Sequence, residues 1–122
     1  MDDDGARSGP LREPAVAEVR DENGTTVVRL AGELDLHNAD DVRAALEQAW
    51  EAGPAKIVVD LSEVEFLDST VLGVFVQAHR RATGGASFRL AAPGPEPRRI
   101  LQVAGVESYL DVHDSLDDAL GA

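Results

Sequence analysis

Hydrophobic and polar positions change period several times along the chain, and each change marks an element. Ala15 to Arg20 and Thr25 to Ala31 read as strands. Between them Asp21-Glu22-Asn23-Gly24 carries Asn-Gly, the strongest short hairpin signal. The first two strands are therefore expected to be antiparallel neighbours. Gly32 to His37 reads as a loop or strand end bearing Glu33 and Asp35. A helix follows, with Asn38 as its cap and Asp40 and Asp41 in its first turn, where anions suit the helix dipole. Its apolar stripe is Ala39, Val42, Leu46 and Ala49, with Ala45 and Trp50 beside it, and Gly53-Pro54 stops it. Lys56 to Leu61 holds the β-branched run Ile57-Val58-Val59, which suits a buried strand. Ser62 to Asp68 reads as a loop. Ser69 to Thr83 reads as a helix, apolar over Val71 to Val76, with His79, Arg80 and Arg81 near its end and Gly84-Gly85 after it.

The last third repeats the alternation. Ser87 to Ala92 is a short strand, and Pro93-Gly94-Pro95 is a turn. Pro97 at a first helical position opens a helix with Ile100, Leu101 and Val103, stopped by Gly105. Tyr109 to Val112 is a marginal strand. Asp114 or Ser115 caps a terminal helix with Leu116, Ala119 and Leu120 inward. Strands alternating with helices behind a hairpin predict an α/β fold with a largely parallel sheet and right-handed crossovers. Periodicity alone does not separate a singly from a doubly wound sheet.

Composition narrows the class. A chain of 122 residues is expected to form one domain. Met1 to Pro14 holds three aspartates, two glycines and two prolines with almost no apolar side chain, so residues 1–14 are expected to be a disordered acidic tail and 15–122 the domain. The core must rest on Val, Leu, Ile and Ala, because Trp50, Phe66, Phe75, Phe88 and Tyr109 are the whole aromatic set. There is no cysteine, which excludes disulfides and thiolate chemistry and fits a reducing cytoplasm. A net charge of −12 argues against nucleic acid and anionic membranes as partners, and no apolar stretch is long enough to span a bilayer.

Few motifs carry chemistry. Neither a Walker-type phosphate loop nor Gly-x-Gly-x-x-Gly is present, so nucleotide binding has no motif behind it. His37, His79 and His113 are scattered without metal-ligand spacing, and no cofactor is expected. What stands out is Asp68-Ser69-Thr70, a carboxylate and two hydroxyls at the junction between a strand's loop and a helix. From the residues alone two readings stay open: a helix N-cap, or a functional hydroxyl. They are compatible, because free backbone N–H groups at a helix start also receive phosphate.

The run D-L-S-E-V-E-F-L-D-S-T-V-L-G-V, from Asp60 to Val74, resembles the STAS domain of bacterial anti-sigma factor antagonists. G-E-L-D-L-H-N-A, from Gly32 to Ala39, and V-H-D-S-L-D-D-A-L, from Val112 to Leu120, resemble the same family, so the likeness spans about residues 15 to 121. It implies a STAS fold: an N-terminal β-hairpin leading into a singly wound, mostly parallel sheet with helices mainly on one face. It also implies a phosphorylatable serine at Ser69 and a partner surface of Asp35, Asp68, Ser69, Thr70 and Val71. Many members have glycine where this chain has Val71.

By that resemblance the chain is a cytoplasmic, non-enzymatic partner-switching regulator of transcription, of the kind that governs stress response or sporulation. It would bind a serine-kinase-type anti-sigma factor and release a sigma factor. Phosphorylation of Ser69 would end binding, and a serine phosphatase would restore it. The expected state is a monomer or weak dimer. The competing expectation is a structural STAS subunit of a signalling or transport assembly that phosphorylation does not switch. A small enzyme of the same α/β class has no motif to support it.

Overall fold

The computed structural model describes residues 14–121. The expected tail, apart from Pro14, lies outside them, as does Ala122. In chain order the elements are β1 (Val16–Glu22), β2 (Thr25–Leu34), α1 (Ala39–Glu51), β3 (Lys56–Leu67), α2 (Ser69–Arg80), β4 (Ser87–Ala91), α3 (Pro95–Ala104), β5 (Val112–His113) and α4 (Leu116–Gly121). The strands form one five-stranded sheet in the order β1-β2-β3-β4-β5. β1 and β2 pair antiparallel, and every later pair is parallel. This is the expected hairpin followed by a mostly parallel sheet. Asn23 and Gly24 both adopt positive φ, 56° and 85°, which a two-residue turn between twisted strands demands.

Two layers of apolar side chains flank the sheet. On one face Leu30, Leu34, Ile57, Val59 and Leu90 pack against Val42 and Leu46 of α1, Leu72, Val74 and Phe75 of α2, and Leu101 of α3. Trp50 joins α1 to α2 by donating its indole N–H to the Ala78 carbonyl at 2.9 Å. On the other face Val58 and Ala91 meet Ala119, Leu116 and Leu120 of α4. Helices α1 to α3 thus share one face, and α4 alone takes the other. That short helix is held at its C-terminal end by two cations. Lys56 Nζ donates to the Leu120 carbonyl at 3.0 Å, and Arg89 Nη1 to the Ala119 carbonyl at 2.9 Å. Burial, and then the neighbouring Arg89 charge, pulls the Lys56 ammonium below its ordinary range.

Several expected boundaries move; α2, for one, ends at Arg80 rather than Thr83, with Arg81 as its C-cap. Ser62 to Leu67 is strand, not loop. β3 continues beside β2 to the pair Leu34–Leu67, and its register slips twice, after Arg29–Asp60 and after Gly32–Val64. Each slip puts an extra residue into β3, so its buried positions Leu61, Val64 and Leu67 fall every third residue. That spacing hides a strand from a search for period two. β2 likewise runs on through Gly32 to Leu34. α3 starts at Pro95, two residues before Pro97; both prolines sit in the first turn, where their missing N–H groups cost nothing. The last strand is Val112–His113 rather than Tyr109 to Val112. At the end of the chain Ser115 is the cap, its Oγ accepting from the Asp118 N–H at 3.0 Å.

Candidate functional site

The two bulged strands deliver the site. Because Leu34 and Leu67 are register partners on parallel strands, the residues that follow them, Asp35 and Asp68, emerge side by side at the same end of the sheet. A backbone bond from the Asp68 N–H to the Leu34 carbonyl, 3.1 Å, closes this junction. Asp68 then leaves the sheet with extended φ and ψ of −110° and −179° and becomes the N-cap of α2. Its Oδ1 accepts from the Val71 N–H at 3.2 Å, and its carbonyl accepts the first helical bond, from Leu72 at 3.1 Å. The cap reading of the D-S-T triplet therefore belongs to Asp68, which leaves both hydroxyls for other use.

Ser69 and Thr70 occupy the first two helical positions and are both exposed. Helix geometry gives their N–H groups no intrahelical acceptor. An anion on either hydroxyl would sit near the positive end of the α2 dipole.

Val71 departs from the expectation. Its side chain is 0% exposed and belongs to the main core, so it is not part of the surface around Ser69. Val71 lies on the buried face of α2 together with Leu72, Val74, Phe75 and Ala78. Its β-branched bulk therefore does not stand between Ser69 and an approaching group.

The Asp35 loop is fixed by Asn38, but not in the expected manner. Asn38 occupies the N-cap position of α1 and makes no cap bond to that helix. Its side chain turns back instead. Oδ1 accepts from the Asp35 N–H at 2.9 Å, and Nδ2 donates to the Glu33 carbonyl at 2.9 Å. The Asp35 carboxylate in turn accepts from the His37 N–H at 2.9 Å. The loop is a set of short polar turns that holds Asp35 half-buried beside Asp68.

Two apolar side chains that the sequence reading did not single out stand at the same corner. Leu36 follows Asp35 and is 66% exposed; Phe66 lies two residues before Asp68 and is 40% exposed. Phe66 was hidden in the stretch read as a loop. The only signal for Leu36 was an apolar residue set between Asp35 and His37. Among the described residues no group of three or more His, Asp or Glu is placed to hold a metal ion. No helix among them is long and apolar enough to cross a membrane.

An exposed hydroxyl pair on a capped helix start, flanked by carboxylates and exposed apolar side chains, thus stands at one corner of an α/β fold. The chain belongs to the STAS domain family, whose model matches residues 16–119. It is 31% identical over 102 residues to the anti-sigma-F factor antagonist RsfB of Mycobacterium tuberculosis strain H37Rv, covering 84% of each chain. A crystal structure of an anti-sigma factor antagonist from Mycobacterium paratuberculosis superposes with a TM-score of 0.81 at 32% identity, over 85% of this chain and 89% of that one. The anti-sigma factor antagonist SpoIIAA in its unphosphorylated form superposes with a TM-score of 0.71 at 25% identity, over 84% and 91%.

Proposed function

We propose that this protein is an anti-sigma factor antagonist that binds an anti-sigma factor through the corner around Ser69, and that phosphorylation of Ser69 ends the binding. The observation that carries the reading is the placement of Ser69: exposed, at the first position of α2, beside a capping Asp68 whose strand end adjoins that of Asp35. The names of the relatives support the antagonist role, and the description of one of them as unphosphorylated supports a phosphorylated counterpart in that protein. Thr70, Leu36 and Phe66 complete the partner surface. Val71 is buried in the core beneath this corner and is not part of that surface.

The partner is a serine kinase, and its chemistry stays its own. Ser69 Oγ attacks the γ-phosphorus of ATP, an Oγ–P bond forms, the bond to the leaving ADP breaks, and the hydroxyl proton passes to a base of the kinase. A serine phosphatase reverses the change by hydrolysis. The phosphate carries about −1.5 to −2 charges at neutral pH, and backbone N–H groups at the helix start can solvate it, so the fold survives. The interface does not. The new charge sits next to Asp68 and near Asp35 on a protein of net charge −12. A pocket that fits a neutral hydroxyl then faces bulk and charge, and each 1.4 kcal/mol or so of mismatch weakens binding about tenfold.

Incubation with the cognate kinase and ATP, followed by mass spectrometry, tests the assignment. Phosphate is expected on Ser69. Ser69→Ala is expected to bind the kinase and resist modification, and Ser69→Asp to bind poorly while melting like the wild type. Phosphate on Thr70, or on neither residue, would reject the switch, and the second outcome would favour a structural STAS subunit.

A further inference from the structure

Among the described residues β1 is the edge strand and pairs only with β2. The two-residue turn at Asn23-Gly24 makes Glu22–Thr25 the hydrogen-bonded pair that closes the hairpin. Alternation from there aims the backbone groups of Glu22, Arg20 and Glu18 at β2 and those of Asp21 and Val19 outward, away from the sheet. A slip at Ala17 ends this regular stretch. Side chains alternate as well. Glu18, Arg20 and Glu22 share one face in a chain of ion pairs, Arg20 with both glutamates and Glu18 also with Arg29. Val19 points to the other face and is 51% exposed. With Val16, Ala45, Gln48, Ala49 and Ala52 it lines an open groove between β1 and α1.

We propose that two copies of this chain associate through β1, antiparallel about a two-fold axis at Val19. The charge pattern selects the partner and the register. An axis at Arg20 would set Arg20 against Arg20 and Glu18 against Glu22 of the second copy, all like charges. An axis at Asp21 would set Arg20 against Glu22 twice but would oppose two aspartates at the axis itself and carry Val19 off the strand pair, against Asn23 in the turn. An axis at Val19 sets Glu18 against Arg20 twice, puts Val19 against Val19 over the apolar groove, and lets the outward N–H and C=O of Val19 bond their counterparts. Only the Val19 register combines two opposite-charge pairs with no like-charge pair opposed. The slip at Ala17 keeps the ladder short and the charge of −12 on each copy opposes contact, so the dimer is weak. None of Asp35, Asp68, Ser69 or Thr70 lies on β1, so this surface is separate from the proposed kinase site.

Sedimentation equilibrium of the full chain, from micromolar to millimolar concentration, tests the dimer. A concentration-dependent monomer–dimer equilibrium is expected. Val19→Pro removes an outward N–H at an edge position where proline is tolerated, and should weaken association at least about tenfold while the melting transition persists. Arg20→Glu should weaken it about tenfold as well, and Glu18→Arg combined with Arg20→Glu should restore it, because the exchange re-creates both opposite-charge pairs. A monomer throughout the range would overturn the proposal. So would a dimer that neither Val19→Pro nor Arg20→Glu weakens, or one that the charge exchange leaves as weak as Arg20→Glu.

Discussion

Asp68 carries two roles that a substitution pair can separate. Its side-chain oxygen caps α2 at Val71, and its charge sits beside Ser69. Asp68→Ala removes both and is expected to cost about 1 kcal/mol of stability, the usual loss for an N-cap. Asp68→Asn keeps an acceptor oxygen and is expected to stay within a few tenths of a kcal/mol of the wild type. Thermal or urea unfolding measures this difference directly. A binding assay with the kinase on the same two variants then reports the charge alone, because the helix start is intact in Asp68→Asn. Equal destabilisation by both variants would mean that the carboxylate, not the cap bond, holds the helix start.

At the scale of elements, α4 depends on its neighbours more than on itself. Six residues are too few for an isolated helix, and one buried residue, Ala119, anchors it. What holds it is a pair of acids, Asp117 and Asp118, in its first turn, Ser115 as its cap, and the cations Lys56 and Arg89 at its end. Arg89 also lies 3.2 Å from the Asp111 carboxylate, so it ties α4 to the turn before β5. Arg89→Ala is expected to lower stability by roughly 1.5 to 3 kcal/mol, the range for a hydrogen bond to a charged group. Amide exchange should show α4 losing protection first. An α4 as protected as in the wild type would refute this. Lys56 adds a pH term. Its folded pKa is lowered, so the unfolded chain binds its proton more tightly. That term costs stability at neutral pH and fades as pH rises toward the ordinary lysine value.

At the scale of the whole molecule, one sheet joins every element, and Trp50 reports on its helical layer. Trp50 is the single tryptophan, and its bond to Ala78 spans α1 and α2. Its fluorescence therefore follows the docking of those helices, whereas far-UV circular dichroism follows the sheet and helices together. The two transitions are expected to coincide, as cooperative two-state unfolding predicts. An earlier fluorescence transition would show that α1 and α2 separate from the sheet before it melts.

Sequence by itself determined the parts of this protein that local chemistry controls. Asn23-Gly24 specified the hairpin, because few other dipeptides adopt two successive positive φ angles. The stripe of Ala39, Val42, Leu46 and Ala49 is the buried face of α1, since a helix must hide one side. Gly105, at φ 74°, ends α3 because a left-handed C-cap favours glycine. The Asp68-Ser69-Thr70 triplet marked the candidate site through its position at a helix start. Tertiary structure decided the rest. The bulges that carry β3 to Leu67 depend on pairing with β2, and pairing across 33 residues leaves no local period to read. The same pairing brought Asp35 beside Asp68 and placed Phe66 at the corner. Which side of α2 faces the sheet was also a tertiary matter, and it sent Val71 into the core and left Ser69 and Thr70 at the surface. Asn38 could have capped α1 on local grounds; the carbonyl of Glu33 and the N–H of Asp35, both brought within reach by the end of β2, claimed its side chain instead.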